Sequence, residues 1–331
     1  METVLLGRTG VRVSKIAFGT MSFGGDADEE MSGRLFAHCR DAGVNLFDCA
    51  DVYNGGRSEE ILGRLVQGCR DEIVLATKAY FPTSKDPNAR GSSRYHLVRS
   101  VEASLRRLGT DRVDLFYLHR FDDDTALDET LRAVDDLVRS GKVLYPAVSN
   151  FSAWQTQKTL GLAALLGLAP IVCTQPMYNL IKRQAEVEIL PMAASEGLGV
   201  FPYSPLAGGL LSGKYGVGKR PETGRILDNE MYKARYGDAV VYELADGFAA
   251  IARELGTSPA TLAVAWVASH PAVTAPLLGA RNLDQLAPSL AAADFAMTPE
   301  LRARISTLTP EPAPATDRNE EGRDRNEEGR T

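Results

Sequence analysis

The sequence predicts an α/β protein folded as a (β/α)8 TIM barrel. Three observations predict it: eight apolar runs of strand length, amphipathic segments between consecutive runs, and polar residues at the ends of several of those runs. Apolar strands alternating with helical patterns are the sequence form of a parallel sheet covered by helices. At 331 residues, with 44% hydrophobic and 24% charged content, the chain has material for one large core. Its length alone also allows two domains, so the pattern of elements must decide. Eight units fit a closed barrel better than an open doubly wound sheet, which more often has fewer strands.

The elements follow in order. TVLL and VRVSK flank the turn Gly7-Arg8-Thr9-Gly10 and predict an N-terminal β-hairpin, placed as a plug across the barrel floor. The eight strand-like runs are IAFGT (16–20), VNLFDCA (44–50), EIVLATKA (72–79), VDLFYLH (113–119), LYPAVSN (144–150), IVCTQP (171–176), GVFPYSP (199–205) and TAPLLGA (274–280). Helices are expected at 28–42, closed by Gly43; at 58–67, opened by Ser58; and at 93–108, closed by Gly109. A helix over 125–140 ends at Gly141, and Ser258-Pro259 opens another that Pro271 stops.

Two regions fall outside the repeat. Residues 207–239 read as a long Gly-rich and charged connection after the seventh strand, and 309–331 as a tail. The tail combines TPEPAPAT with DRNEEGR repeated at 317–323 and 324–330, and has too little apolar content to offset the entropy of ordering. The expected organisation is therefore a barrel over 1–308 and a disordered Pro-rich, charged tail over 309–331.

A formal net charge of −6 gives no electrostatic case for nucleic acid or an anionic membrane, so any bound anion must meet a local basic site. Cys39, Cys49, Cys69 and Cys173 show no CxxC spacing, and three of them lie among apolar neighbours as reduced core thiols do. The N-terminal segment lacks the form of a secretory signal, and no run approaches the length of a membrane span, so a cytoplasmic location is expected.

In a barrel, chemistry sits at the C-terminal ends of the strands. The second run ends in Asp48, with Tyr53 on the loop beyond. The third ends in Lys78 and the fourth in His119; the fifth ends in Ser149 and Asn150, the sixth carries Gln175, and the seventh carries Tyr203 and Ser204. Singly, each has a structural reading: a strand-end Asp caps helices, a lone His is usually satisfied, and a rim Lys reaches water. An acid, a base and a phenol on one rim point instead to proton transfer. A free phenol titrates at about 10 and is a weak donor at neutral pH unless its anion is stabilised. Lys78 beside Tyr53 is expected to make that phenol more acidic, with Asp48 keeping the ammonium charged and His119 orienting a substrate oxygen. None of these residues carries electrons, so a reduction needs a bound cofactor.

These residues carry a resemblance to the aldo-keto reductases. FDCADVY resembles the family's Asp-Thr-Ala-x-x-Tyr signature with Cys49 in the Thr place, and LATK, YLH, VSNF, TQPMYN and YSPLAGGLLSGKY follow in family order, from about residue 3 to 306. NGGRSEEILG and GARNLDQL look closest to the branch that includes potassium-channel β-subunits and bacterial reductases. The resemblance implies Asp48, Tyr53, Lys78 and His119 as a catalytic tetrad and NADPH as cofactor. It implies the backbone segment Gly19, Thr20 and Met21 beside the cofactor, Ser149, Asn150 and Gln175 at its carboxamide, and Tyr203 stacked on the nicotinamide. Ser204, Pro205, Leu206, Gly208, Lys214 and Arg225 match the loop over the pyrophosphate, and Gly279, Arg281, Gln285 and Ser289 the adenosine end, with Arg281 facing the 2′-phosphate. A guanidinium fork there favours NADPH over NADH. The sequence departs from the family where Pro288-Ser289 replaces Glu-Asn, which implies a weaker adenine contact, and where Pro146-Ala147 precedes VSN.

Other motifs lead away from the alternatives. GGLLSGKY (208–215) has Tyr215 where a P-loop needs Ser or Thr, no GxGxxG follows a strand, and FDDDTALDE (121–129) reads as a loop and helix start. The leading expectation is reversible reduction of a small-molecule aldehyde or ketone with Tyr53 as general acid. A regulatory subunit that senses redox state through a bound cofactor, and a lyase using a Lys78 Schiff base, are the alternatives. The loops near Tyr80 to Arg94, Phe121, and 226–239 with Met231, Tyr232 and Tyr236 are expected to shape the substrate pocket, and the oligomeric state is left open.

Overall fold

The structure is a computed structural model that describes residues 1–316. The hairpin pairs β1 (Thr3–Leu5) with β2 (Arg12–Ser14) in antiparallel register, Val4 opposite Val13. Leu6 and Val13 are fully buried and pack with Ala17, Leu46, Ala76, Leu115 and Phe201 inside the barrel, so the hairpin does close the floor. Gly7 makes this possible. It has φ +50°, and a Cβ there would lie 2.8 Å from the Gly197 carbonyl oxygen and 2.9 Å from the Gly199 nitrogen.

Eight parallel strands form the barrel: β3 (Ala17–Gly19), β4 (Leu46–Asp48), β5 (Val74–Ala79), β6 (Val113–Leu118), β7 (Val143–Ser149), β8 (Cys173–Gln175), β9 (Gly199–Val200) and β10 (Leu277–Leu278). Neighbours pair in chain order, and β10 returns to lie beside β3. Contacts just beyond β9 close the ring: the Leu277 amide donates to the Pro202 carbonyl at 2.8 Å, and Tyr203 bridges Leu277. All eight expected strands are present.

The period of two along each strand explains the placement of the polar groups. On β4, Leu46 packs inside the barrel and Phe47 in the layer beneath the helices, so Asp48 turns inward. On β5, Ala76 points in and Lys78 follows it; on β6, Leu115 and Tyr117 point in, ahead of His119. Pro146 is tolerated in β7 although it lacks an amide donor, and its carbonyl still accepts from Val172 at 3.0 Å.

The helix expected over 28–42 spans Glu29–Asp41, capped by Asp28, whose carboxylate accepts from the Met31 amide at 2.8 Å. Those expected over 93–108 and 125–140 span Arg94–Leu108 and Leu127–Arg139, and Ser258 caps Pro259–Ala268. One start differs. The helix expected at Ser58 begins at Arg57 behind Gly56, and the buried Ser58 hydroxyl donates instead to the Thr20 carbonyl at 2.7 Å. The connection 207–239 also holds more structure than its composition suggests, with short helices at Arg225–Asp228 and Glu230–Tyr236. Each is too short to show a periodic pattern.

Cys39, Cys49 and Cys173 are buried free thiols, as expected. No described helix is long and apolar enough to cross a membrane. Residues 310–314 adopt no regular secondary structure, and the remainder of the expected tail, 317–331, lies outside the described residues.

Candidate active site

Inward-facing residues at the C-terminal ends of the strands line a cleft of about 630 Å³. Its centre is built around Lys78. This side chain is completely buried, and its ammonium donates to the Asp48 carboxylate, to the Cys49 carbonyl at 2.7 Å and to the Tyr53 hydroxyl at 3.5 Å. The second Asp48 oxygen accepts from the Gln175 amide at 3.1 Å. Burial acts to lower the Lys78 pKa, but the charge and hydrogen bond of Asp48 lead the effects that outweigh it and hold the ammonium protonated.

Tyr53 is positioned by a tight turn rather than by a strand. Asn54, Gly55 and Gly56 all have positive φ, and the Asn54 side-chain amide donates to the Met21 and Phe23 carbonyls at 2.9 and 2.8 Å. The turn is thus tied to the loop after β3. Burial pushes the Tyr53 hydroxyl up to about 12, with Lys78 pulling the other way. The lysine does act to make this phenol more acidic, as expected, but burial outweighs it. Lys78 only partly offsets the cost of forming a phenolate away from water, and the resting group is a neutral phenol.

His119 stands across the cleft, its ring centre 6.1 Å from that of Tyr53 and 4.9 Å from that of Phe81. Burial, and then the Lys78 charge, lower its pKa well below the usual histidine value, so the imidazole is neutral. Nδ1 is buried without a partner, which leaves Nε2 as the nitrogen open to the cleft. The His119 carbonyl accepts from Asn150 at 2.9 Å, and the Asn150 oxygen accepts from the Tyr203 hydroxyl at 2.7 Å. Ser149 completes this rim by donating to the Gln175 carbonyl at 3.0 Å.

Beyond Tyr203 the lining becomes cationic. Lys214, Arg225 and Arg281 all face the cleft, and the Lys214 ammonium is shifted down first by burial and then by the Arg281 and Arg225 charges. Gly208 and Gly209, both with positive φ, bring backbone to the same wall. Clustered cations beside exposed backbone suit a phosphate-bearing ligand. Arg281 also pairs with Asp26 at 2.9 Å, and its amide donates to Gln285 at 3.2 Å, so an anion at Arg281 must share the guanidinium with a carboxylate.

Most residues expected at the site reach the cleft: Gly19, Met21, Asp48, Tyr53, His119, Ser149, Asn150, Gln175, Tyr203, Ser204, Pro205, Leu206, Gly208, Lys214, Arg225, Gly279, Arg281, Gln285 and Ser289. Two expected residues do not line it. Thr20 is buried and bonds the Asp48 carbonyl at 3.1 Å, and Lys78 acts through Asp48 and Tyr53 from behind the surface. A buried, carboxylate-paired amine has no open approach for a substrate carbonyl, which weighs against the Schiff-base lyase. Ser289 lines the cleft with its hydroxyl turned back to the Gln285 carbonyl at 3.2 Å, and Pro288 uses its carbonyl to accept from Thr261 at 2.7 Å.

Of the expected pocket-shaping residues, Met231 and Tyr232 line the cleft, whereas Tyr236 is fully buried with its hydroxyl beside Asn179, and Phe121 packs on Phe151 and Trp154. Sequence reasoning missed Ser22, Arg120 and Leu277. Arg120 directly follows His119 and was within reach of the strand-end pattern; Arg235 lies in the expected 226–239 segment but was not singled out there.

The sequence profile of the Aldo/keto reductase family matches residues 15–309. The chain is 38% identical to an uncharacterized oxidoreductase, YrpG, of Bacillus subtilis, an alignment that covers 96% of this chain and 98% of that protein. It is also 38% identical to a probable voltage-gated potassium channel subunit beta of Oryza sativa, covering 93% and 96%, and to one of Arabidopsis thaliana, covering 89% and 92%. Family match, barrel and rim agree: the chain belongs to the aldo/keto reductase family of oxidoreductases.

Proposed function

We propose that the protein reduces an aldehyde or ketone to the alcohol, reversibly, with NADPH as the hydride donor and Tyr53 as the general acid. The observation that carries this reading is the buried chain Asp48–Lys78–Tyr53 opening on the same cleft as His119. The cofactor fits the residues present. The cations Lys214, Arg225 and Arg281 lie along one arm of the cleft, and Tyr203 offers an aromatic face near the rim formed by Asn150. NADPH, when bound, supplies the hydride.

The chain supplies the rest. Tyr53 donates its proton to the carbonyl oxygen, and the Lys78 ammonium stabilises the phenolate left behind. Asp48 keeps that ammonium charged and fixed, while Gln175 holds the other carboxylate oxygen. Nε2 of neutral His119, as an N–H donor, fixes the same substrate oxygen without competing for its proton. In the oxidative direction the same atoms run backwards, with the phenolate receiving the alcohol proton.

A screen of NADPH consumption over aldehydes, ketones, keto-sugars and pyridoxal, with the alcohol products identified, tests the proposal. Turnover of at least one class is expected. The channel-subunit names of the rice and Arabidopsis relatives favour a second reading, a regulatory subunit that holds the cofactor with little turnover. Tight NADPH binding with no carbonyl reduced across the panel would support that reading and overturn the first.

A further inference from the structure

The charge distribution of the cleft is uneven in a way the cofactor alone does not account for. Among the described residues its lining holds five cationic side chains, Arg120, Lys214, Arg225, Arg235 and Arg281, against one carboxylate, Asp48, which is occupied by Lys78. This occurs in a chain whose formal net charge is −6. Lys214, Arg225 and Arg281 lie together and suit the phosphates of a dinucleotide. The other two arginines are placed differently.

Arg120 follows His119 at the end of β6, so its Cα lies about 3.8 Å from that of the histidine. In the ring of eight strands β6 stands opposite β10, which leads to Arg281. Arg120 is therefore across the barrel mouth from the proposed 2′-phosphate position. Arg235 lies in the helix Glu230–Tyr236, with its guanidinium 5.7 Å from the Tyr232 ring centre. Its positive charge pulls the Tyr203 hydroxyl down against the upward effect of burial. That hydroxyl is in turn joined through Asn150 to the His119 carbonyl. Among the described residues neither guanidinium has a carboxylate partner, whereas Arg281 at the opposite side has Asp26. Two guanidiniums without a carboxylate partner, lining the same cleft as the Tyr53 phenol and the neutral His119 imidazole, leave charge for a ligand to neutralise.

We propose that the substrate is an anionic carbonyl compound, bearing a carboxylate or phosphate that Arg120 and Arg235 receive while its carbonyl oxygen lies between Tyr53 and His119. This rests on the reductase reading above and specifies its substrate class. Phe81, Tyr203 and Tyr232 offer aromatic walls for the body of the substrate, while exposed Arg120 and half-buried Arg235 meet its anionic end nearer the solvent.

The test compares matched carbonyl pairs at saturating NADPH and low salt: 4-formylbenzoate against methyl 4-formylbenzoate, and glyceraldehyde 3-phosphate against glyceraldehyde. The wild-type protein is expected to favour the anionic member of at least one pair about 10-fold or more in kcat/KM. Arg120→Gln and Arg235→Gln are each expected to cut that ratio, and the double variant to lower it about 10- to 100-fold in all. Which pair responds distinguishes carboxylate from phosphate. A wild-type ratio near one in both pairs overturns the proposal. So does an equal loss on charged and neutral members, or a raised Kd for NADPH in place of a changed ratio, since either would assign the arginines to general structure or to the cofactor.

If the protein turns over none of the four compounds, the reductase reading is decided by the wider carbonyl panel and not by these four. The anion site then answers to calorimetric titration of 4-formylbenzoate and of inorganic phosphate into the NADP+-loaded protein. Binding that the double variant abolishes supports it, and no binding, or binding unchanged in the double variant, overturns it.

Discussion

The Lys78 ammonium lies 3.5 Å from the Tyr53 hydroxyl while the same nitrogen is bonded to the Asp48 carboxylate. One buried cation thus serves a carboxylate on its own account and a phenol on behalf of the reaction. Neither role is separable from the fold, because Asp48 and Lys78 come from adjacent strands in fixed parallel register.

Replacing Lys78 exposes the cost of that arrangement. Lys78→Met leaves the Asp48 carboxylate buried without its counter-charge, and loss of one partner from a buried pair costs about 3–5 kcal/mol. Urea unfolding is expected to show a loss of that size, and adding Asp48→Asn to Lys78→Met is expected to recover much of it. Equal stability of the single and double variants would mean that the pair is not an electrostatic unit.

Asp51 gives the fold a pH dependence of its own. One carboxylate oxygen accepts from Ser100 at 2.6 Å, and the other is buried with no partner. Burial pushes its pKa up to about 7, with Ser100 opposing, Glu59 reinforcing and Arg107 opposing. In the unfolded chain such a carboxyl ionises at about 4, so between roughly pH 4 and 7 the unfolded state gives up its proton first and gains stability over the folded one. The contribution of Asp51 is therefore greatest at acid pH and is lost as pH rises through about 7. Asp51→Asn is expected to stabilise the protein at pH 8 by roughly 1–3 kcal/mol more than at pH 4.5. Thermal unfolding at the two pH values checks this, and an equal effect at both would contradict it.

Arg281 governs the proposed choice between cofactors. Arg281→Leu is expected to raise the Kd for NADPH about 10- to 100-fold and to change that for NADH little, because only the former carries a phosphate for the guanidinium. Fluorescence titration of each cofactor reads the difference directly. A parallel loss for both would place Arg281 in a structural role through its Asp26 pairing instead.

Much of the site was legible because strand geometry transmits sequence position to space so faithfully. Once Leu46 and Ala76 are assigned to the barrel interior, the period of two carries Asp48 and Lys78 inward without further information. The limits are equally physical. Thr20 was expected only through its backbone, and the inward bonds of its side chain to the Asp48 carbonyl and the Ser58 hydroxyl are a tertiary choice that no local pattern encodes. Arg235 lies in a helix of seven residues, too short for periodicity to mark its faces. The effect of Lys78 on Tyr53 was readable in its direction, but the depth of burial that outweighs it belongs to the assembled rim.

Single-turnover reduction by Tyr53→Phe, measured alongside NADPH binding, isolates the proton that the phenol is proposed to give. The variant is expected to bind NADPH as the wild-type protein does and to reduce a substrate of the wild-type protein about 10²- to 10⁴-fold more slowly, the usual contribution of a positioned proton donor. Reduction at the wild-type rate would contradict the assignment of the Tyr53 hydroxyl as the general acid.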